Sequence, residues 1–135
     1  MSEYTKPIPE PTTLTQPFWD GVKQHKLLAQ KCASCGNLRH TPKPLCPNCL
    51  SQEFTWEPLS GQGQVYSYTV MHRSPAPSFD GELPYVVALV ELNEGVRMIS
   101  NIVGCTPKEV RVGMPVKVVY EDVTAQVSIF KFAPA

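Results

Sequence analysis

Four cysteines, Cys32, Cys35, Cys46 and Cys49, are the side chains best placed to do chemistry in this chain. They form two Cys-x-x-Cys pairs, and ten residues separate Cys35 from Cys46. Two residues between paired cysteines let both thiolates turn toward one point in a tight knuckle. Gly36, after the first pair, can take the positive φ that such knuckles often need, and Pro47 stiffens the second. Two knuckles brought together place four sulfurs at tetrahedral corners, the geometry Zn²⁺ accepts with every position closed. A closed site leaves no place for water or substrate. The expected role is structural, with the metal supplying folding energy to a segment too small to build its own core. Iron also accepts four thiolates. A thioredoxin-type dithiol fits poorly, because no βαβ pattern surrounds either pair.

Disulfides are the rival use of these cysteines. The total of five is odd, and Met1 to Pro7 has no apolar core of the signal-peptide kind. The expected compartment is the reducing cytoplasm, where disulfides are rare. The longest wholly apolar run, Tyr85 to Val90, is far short of the ~20 residues of a membrane helix. Twelve Lys and Arg balance twelve Asp and Glu. The balance is also local, with six basic and five acidic residues in 1–60 and six and seven in 61–135. A protein whose affinity rests on neutralising phosphates is usually basic, so nucleic acid is a disfavoured partner.

Other candidates are weaker. Cys105 stands alone after Gly104, and its ordinary use is as a small, partly buried hydrophobe. His72 and Arg73 open a thirteen-residue loop that runs to Pro84. Loops of this length are often functional, and Arg73 suits a phosphate or carboxylate, or is simply solvated. Phe79, Leu83 and Tyr85 form an apolar lip on that loop or anchor it. His25 and His40 are expected at the surface. Phe18 and Trp19 either pack within the chain or present a docking face.

The elements that position these residues follow from pattern. Pro7, Pro9 and Pro11 make residues 1–12 an extended arm. Residues 13–25 read as a short helix capped by Thr15, with Pro17 in its first turn and Leu14, Phe18 and Val22 on one face. Leu27 to Lys31 and Phe54 to Trp56 read as strands flanking the cysteines. Pro42, Pro44 and Pro47 forbid a helix between the pairs. From Gly61 the period becomes two. Gln64–His72 sets Val65, Ser67, Thr69 and Met71 against Tyr66, Tyr68 and Val70. Tyr85–Leu92, nearly all apolar, is expected to be buried on both faces. Asn93-Glu94-Gly95 is a hairpin turn. Val96–Val103, Val116–Glu121 and Val127–Phe132 are further strands, and Pro107–Val110 makes one helical turn. The 135 residues therefore divide into an arm and helix (1–26), a metal ribbon (27–59) and a five-stranded closed barrel of the oligonucleotide/oligosaccharide-binding (OB) type (60–135). An open sandwich is the alternative to the barrel.

The first cysteine pair with its glycine, followed by Cys46-Pro47-Asn48-Cys49, resembles rubredoxin, although Leu50 stands where glycine usually follows the second pair. The whole order of parts resembles a narrower family. Pro17-Phe18-Trp19-Asp20-Gly21 precedes the cysteines; Gly63-Gln64-Val65-Tyr66-Ser67-Tyr68-Thr69 and Pro84 to Leu92 follow them. From about Pro17 to Phe132 the chain is similar to the zinc-ribbon/OB-fold proteins that accompany thiolase-like, including sterol-carrier-thiolase-like, acyl-CoA enzymes. The resemblance implies a mainly β fold with a rubredoxin-like zinc ribbon. It implies Zn²⁺ on Cys32, Cys35, Cys46 and Cys49. It further implies a non-catalytic subunit that binds a thiolase-like protein and acyl-CoA in a hetero-oligomer. Phe18, Trp19, His72, Arg73, Phe79 and Tyr85 are the candidate ligand or partner contacts. Two other functions fit parts of the chain. One is a single-strand nucleic-acid binder that stacks bases on Tyr66, Tyr68 and Phe79; the other is a rubredoxin-like electron carrier.

Overall fold

The computed structural model describes residues 8–73, 77, 81 and 83–135. Helix α1, Gln16–Lys23, is followed by three ribbon strands: β1 (Leu28–Cys32), β2 (Leu38–Arg39) and β3 (Phe54–Pro58). Five more strands follow: β4 (Gln62–Met71), β5 (Tyr85–Leu92), β6 (Arg97–Ile102), β7 (Pro115–Asp122) and β8 (Ser128–Pro134). A 3₁₀ turn, Pro107–Glu109, lies between β6 and β7. Among the described residues no helix is long and apolar enough to cross a membrane.

α1 is shorter than its sequence pattern, and Thr15 does not cap it with its side chain. Its hydroxyl accepts from the Thr12 amide at 2.8 Å, so the two threonines brace each other ahead of the helix. Phe18, Gly21 and Val22 form the buried face. Pro17 falls in the first turn, where its missing N–H costs no helical bond.

The ribbon sheet has the order β2-β1-β3, all antiparallel. The second sheet closes into a barrel in the order β4-β5-β6-β8-β7, with β7 returning to β4 through Gln62–Gln64. Closure removes the exposed edges that an open sandwich would leave. Gly63 sits at the seam. A Cβ there would lie 2.2 Å from the Glu91 carbonyl oxygen, so only glycine lets β4 and β5 approach this closely.

Two strands depart from simple alternation. In β4, Val65 pairs with Val90 but Ser67 pairs with Leu89, which leaves Tyr66 as a bulge residue. The extra residue reverses the facing beyond it. Tyr68 and Val70, opposite Ala88 and Val86, share the face of Val65, while Ser67, Thr69 and Met71 turn outward. β5 buries Val86, Ala88, Val90 and Leu92, whereas its alternate residues are only half-buried. The expectation of burial on both faces is corrected: among the described residues no second layer covers the outside of the barrel there.

An aromatic cluster joins the three parts. The Phe18 ring centroid lies 5.0 Å from Trp19, 5.1 Å from His40 and 5.7 Å from Phe130. These residues come from α1, the ribbon and β8 respectively. At the far end of α1, His25 stacks on Tyr120 and its Nε2 lies 3.0 Å from the Asp122 carboxylate. His25 is exposed as expected, but His40 is not a free surface residue, because its ring packs against Phe18 and Phe130.

Candidate metal centre

The four cysteines converge from two hydrogen-bonded knuckles. In the first, the Gly36 amide donates to the Cys32 carbonyl at 3.0 Å; in the second, the Leu50 amide donates to the Cys46 carbonyl at 2.8 Å. Both turns need a left-handed residue directly after the second cysteine. Gly36 has φ 76° and Leu50 has φ 66°. The knuckles are tied together by Ser34 Oγ donating to Ser51 Oγ at 3.0 Å and by the Ala33 amide donating to the Glu53 carbonyl at 3.0 Å.

The four Sγ atoms lie within 4.8 Å of one another. Cys32 and Cys49 sulfurs are 3.5 Å apart, and those of Cys35 and Cys46 are 3.7 Å apart. Zn–S bonds of about 2.3 Å at tetrahedral angles require S···S separations of about 3.8 Å. The donor set and its spacing therefore fit a four-thiolate metal ion, with Cys32 and Cys46 buried and Cys35 and Cys49 exposed.

Electrostatics divides the thiols. The Cys35 amide, pointing at Cys32 Sγ, holds that thiol down to about 6. For Cys46, burial works against ionisation, but the amides of Cys49 and Asn48 outweigh it and its value lies below the ordinary thiol range. Cys49 is pushed up to about 12: the Ser51 amide pulls it down, and its contact with Cys32 together with burial pushes harder. The two buried sulfurs are thus the ones whose ionisation the surrounding amides favour. A bound cation would favour the thiolate form of all four ligands.

The other candidates do not form one site. Phe18 is 2% exposed. It is a core residue, so the packing reading holds and the docking role is corrected. Trp19 beside it is half-buried and packs on the same cluster. His72 and Arg73 are exposed at the end of β4, Tyr85 pairs with Met71, and Phe79 lies outside the described residues. A cavity of about 540 Å³ at this barrel end is lined by Tyr68, Val70, His72 and Pro84, with Thr106 to Lys108 and Val110 opposite. Sequence reasoning gave the Thr106–Lys108 turn no role. More than twenty residues separate it from Pro84 on the other side of the cavity, and only strand pairing brings the two together. Cys105 is half-buried, and burial followed by the Glu109 charge pushes its thiol up. That is the opposite of an activated nucleophile.

Comparison with known proteins places this geometry in a family. Residues 19–55 match the family model "ChsH2, rubredoxin-like zinc ribbon domain", and residues 56–121 match "ChsH2, C-terminal OB-fold domain". The solved structure described as "Ltp2-ChsH2(DUF35) aldolase" contains a chain with TM-score 0.84 and 41% identity, and the match covers 93% of this chain and 98% of that one. A "DUF35 domain-containing scaffold protein" of Methanocaldococcus jannaschii is 37% identical over 107 residues, 78% of this chain and 75% of that protein. A "Probable enoyl-CoA hydratase alpha subunit" of Thermomonospora curvata is 45% identical over 119 residues, 87% of this chain. The chain spans only 37% of the length of that relative. Its two-knuckle cysteine centre and closed barrel, matched by both ChsH2 models, make this chain a member of the DUF35 family.

Proposed function

We propose that this chain is a non-catalytic, zinc-binding accessory subunit of an acyl-CoA-transforming complex of thiolase or aldolase type. The observation that carries this reading is a closed four-cysteine centre joined to a barrel in which the described residues form no catalytic constellation. The chain shares its order of parts, over 93% of its length, with a chain of a solved structure described as an aldolase. A tetrathiolate centre holds no water and offers no open coordination position, so its contribution is to fix the ribbon. The metal is zinc, held by Cys32, Cys35, Cys46 and Cys49, and it supplies structural cross-linking alone. The barrel offers a rigid platform. Trp19, His72, Arg73, Phe79 and Tyr85 are the residues we assign to contact with the thiolase-like subunit or with acyl-CoA. The complex is a cytoplasmic hetero-oligomer.

The test is recovery of the tagged chain from its own source. It is expected to bring down a thiolase-like protein in fixed ratio, and to be colourless with zinc rather than iron bound. Recovery as a lone monomer, with no effect on any neighbouring acyl-CoA enzyme, overturns the proposal.

A further inference from the structure

Gln30 and Arg39 are fully or nearly fully buried polar residues, 0% and 5% exposed, in a ribbon with little core of its own. They lie opposite each other on β1 and β2. Arg39 Nε donates to Gln30 Oε1 at 2.7 Å, and Arg39 Nη2 donates to the Lys43 carbonyl at 3.1 Å. Gln30 Oε1 also accepts the Lys43 amide at 2.7 Å. Both polar groups of the Lys43 backbone are thus held by buried side chains. Among the described residues no carboxylate pairs with Arg39, and its guanidinium lies over the Phe54 ring at 5.3 Å. Phe54 is in turn the cross-strand partner of Cys32.

The placement of Lys43 gives this network its meaning. Gln30 precedes Cys32 by two residues, so it moves with the first knuckle. Lys43 precedes Cys46 by three residues, so it leads the second knuckle in. Pro42 and Pro44 on either side of Lys43 stiffen the spacer without donating hydrogen bonds. Burying an arginine and a glutamine is costly unless their geometry is used. Here one planar guanidinium donates to both Gln30 Oε1 and the Lys43 carbonyl, a fixed two-way geometry that a flexible ammonium does not supply, while Arg39 Nη1 and Gln30 Nε2 find no partner among the described residues. We propose that Gln30 and Arg39 are positioning residues that set the second cysteine pair against the first, so that the metal meets a preformed site. A loaded tetrathiolate centre carries two net negative charges, which also favours an unpaired guanidinium in the same small module.

This inference rests on the metal-binding reading above, so zinc binding by the unaltered chain is measured first; absence of zinc there defeats that reading, not the clamp specifically. Arg39→Met and Arg39→Lys are then compared with it by zinc competition against a chelating dye, and by thermal unfolding with and without zinc. Outer partners of metal sites typically change affinity 10–100-fold. Arg39→Met is expected to weaken zinc binding on the order of 100-fold, and Arg39→Lys, which keeps the charge but not the fork, about 10-fold. In the metal-free chain the Lys43 amide is expected to remain protected from hydrogen exchange. If Arg39→Met does not fold, Arg39→Lys decides. Unchanged zinc affinity in Arg39→Lys with equal destabilisation of loaded and metal-free protein overturns the proposal, as does free exchange of the Lys43 amide once zinc is removed.

Discussion

Gly36 and Leu50 occupy the same place in the two knuckles, and only one of them suits it. At φ 76° glycine meets no penalty, whereas Leu50 at φ 66° carries the steric cost of a left-handed L-residue, roughly 1–2 kcal/mol. Leu50 is 71% exposed, so it recovers little of this by packing. Leu50→Gly removes the strain but adds freedom to the unfolded chain, worth about 0.4–1 kcal/mol in the other direction. The zinc-loaded variant is expected to be neutral or more stable by about 0.5–1 kcal/mol in denaturant unfolding. Gly36→Ala is expected to lose about 1 kcal/mol, since no atom lies within 4 Å of the added Cβ and conformation alone is at stake. Equal signs for the two substitutions contradict this account. The four cysteines were legible as a metal site from spacing. Leu50 in a glycine's conformation was not, because tertiary closure of the knuckle overrides the preference of a single residue. The Gln30–Arg39 network was equally hidden, since it forms only when β1 and β2 are in register.

At the scale of elements, the helix, ribbon and barrel meet at Phe18, His40 and Phe130. Sequence pattern located α1 and the β8 segment, but it could not show that the ribbon packs an imidazole against both. Burial lowers His40 to about 4 from an ordinary value of 6.5. Between these values the unfolded chain binds a proton that the folded chain refuses, so stability rises with pH across that window. The contribution is fully present above about pH 6.5 and lost toward pH 4, on the order of 3 kcal/mol. Asp122 has the usual carboxylate sign. The Ser128 hydroxyl and then His25 lower it, so its contribution is present above about pH 4 and fades below that. Unfolding midpoints measured from pH 4 to 7 are therefore expected to fall less steeply in His40→Phe than in the unaltered chain. Identical slopes would exclude His40 as the source. The β4 bulge was likewise beyond sequence: Tyr66 is an ordinary strand residue, and its displacement appears only against the register of β5.

For the whole molecule, neutral charge and a closed barrel point the same way. A single-strand nucleic-acid binder needs a positive groove beside its stacking rings. Here Tyr66 is covered on one face by Arg97, 3.9 Å from the ring centroid, and Arg97 is itself paired with Glu91 at 3.0 Å. The order of helix, cysteine ribbon and five strands was readable in the sequence because each part has its own period and punctuation. The partner was not readable in that way, since docking surfaces carry no period, and the proposed assignment rests on family membership. The most direct measurement is therefore acyl-CoA turnover by the co-purified thiolase-like subunit, assayed with and without this chain, and by this chain alone. Turnover is expected only when the large subunit is present, and it is expected to be faster, or the enzyme longer-lived, when the zinc-loaded chain is added. Turnover by this chain alone, or a large subunit indifferent to it in rate, lifetime and binding, would contradict the account.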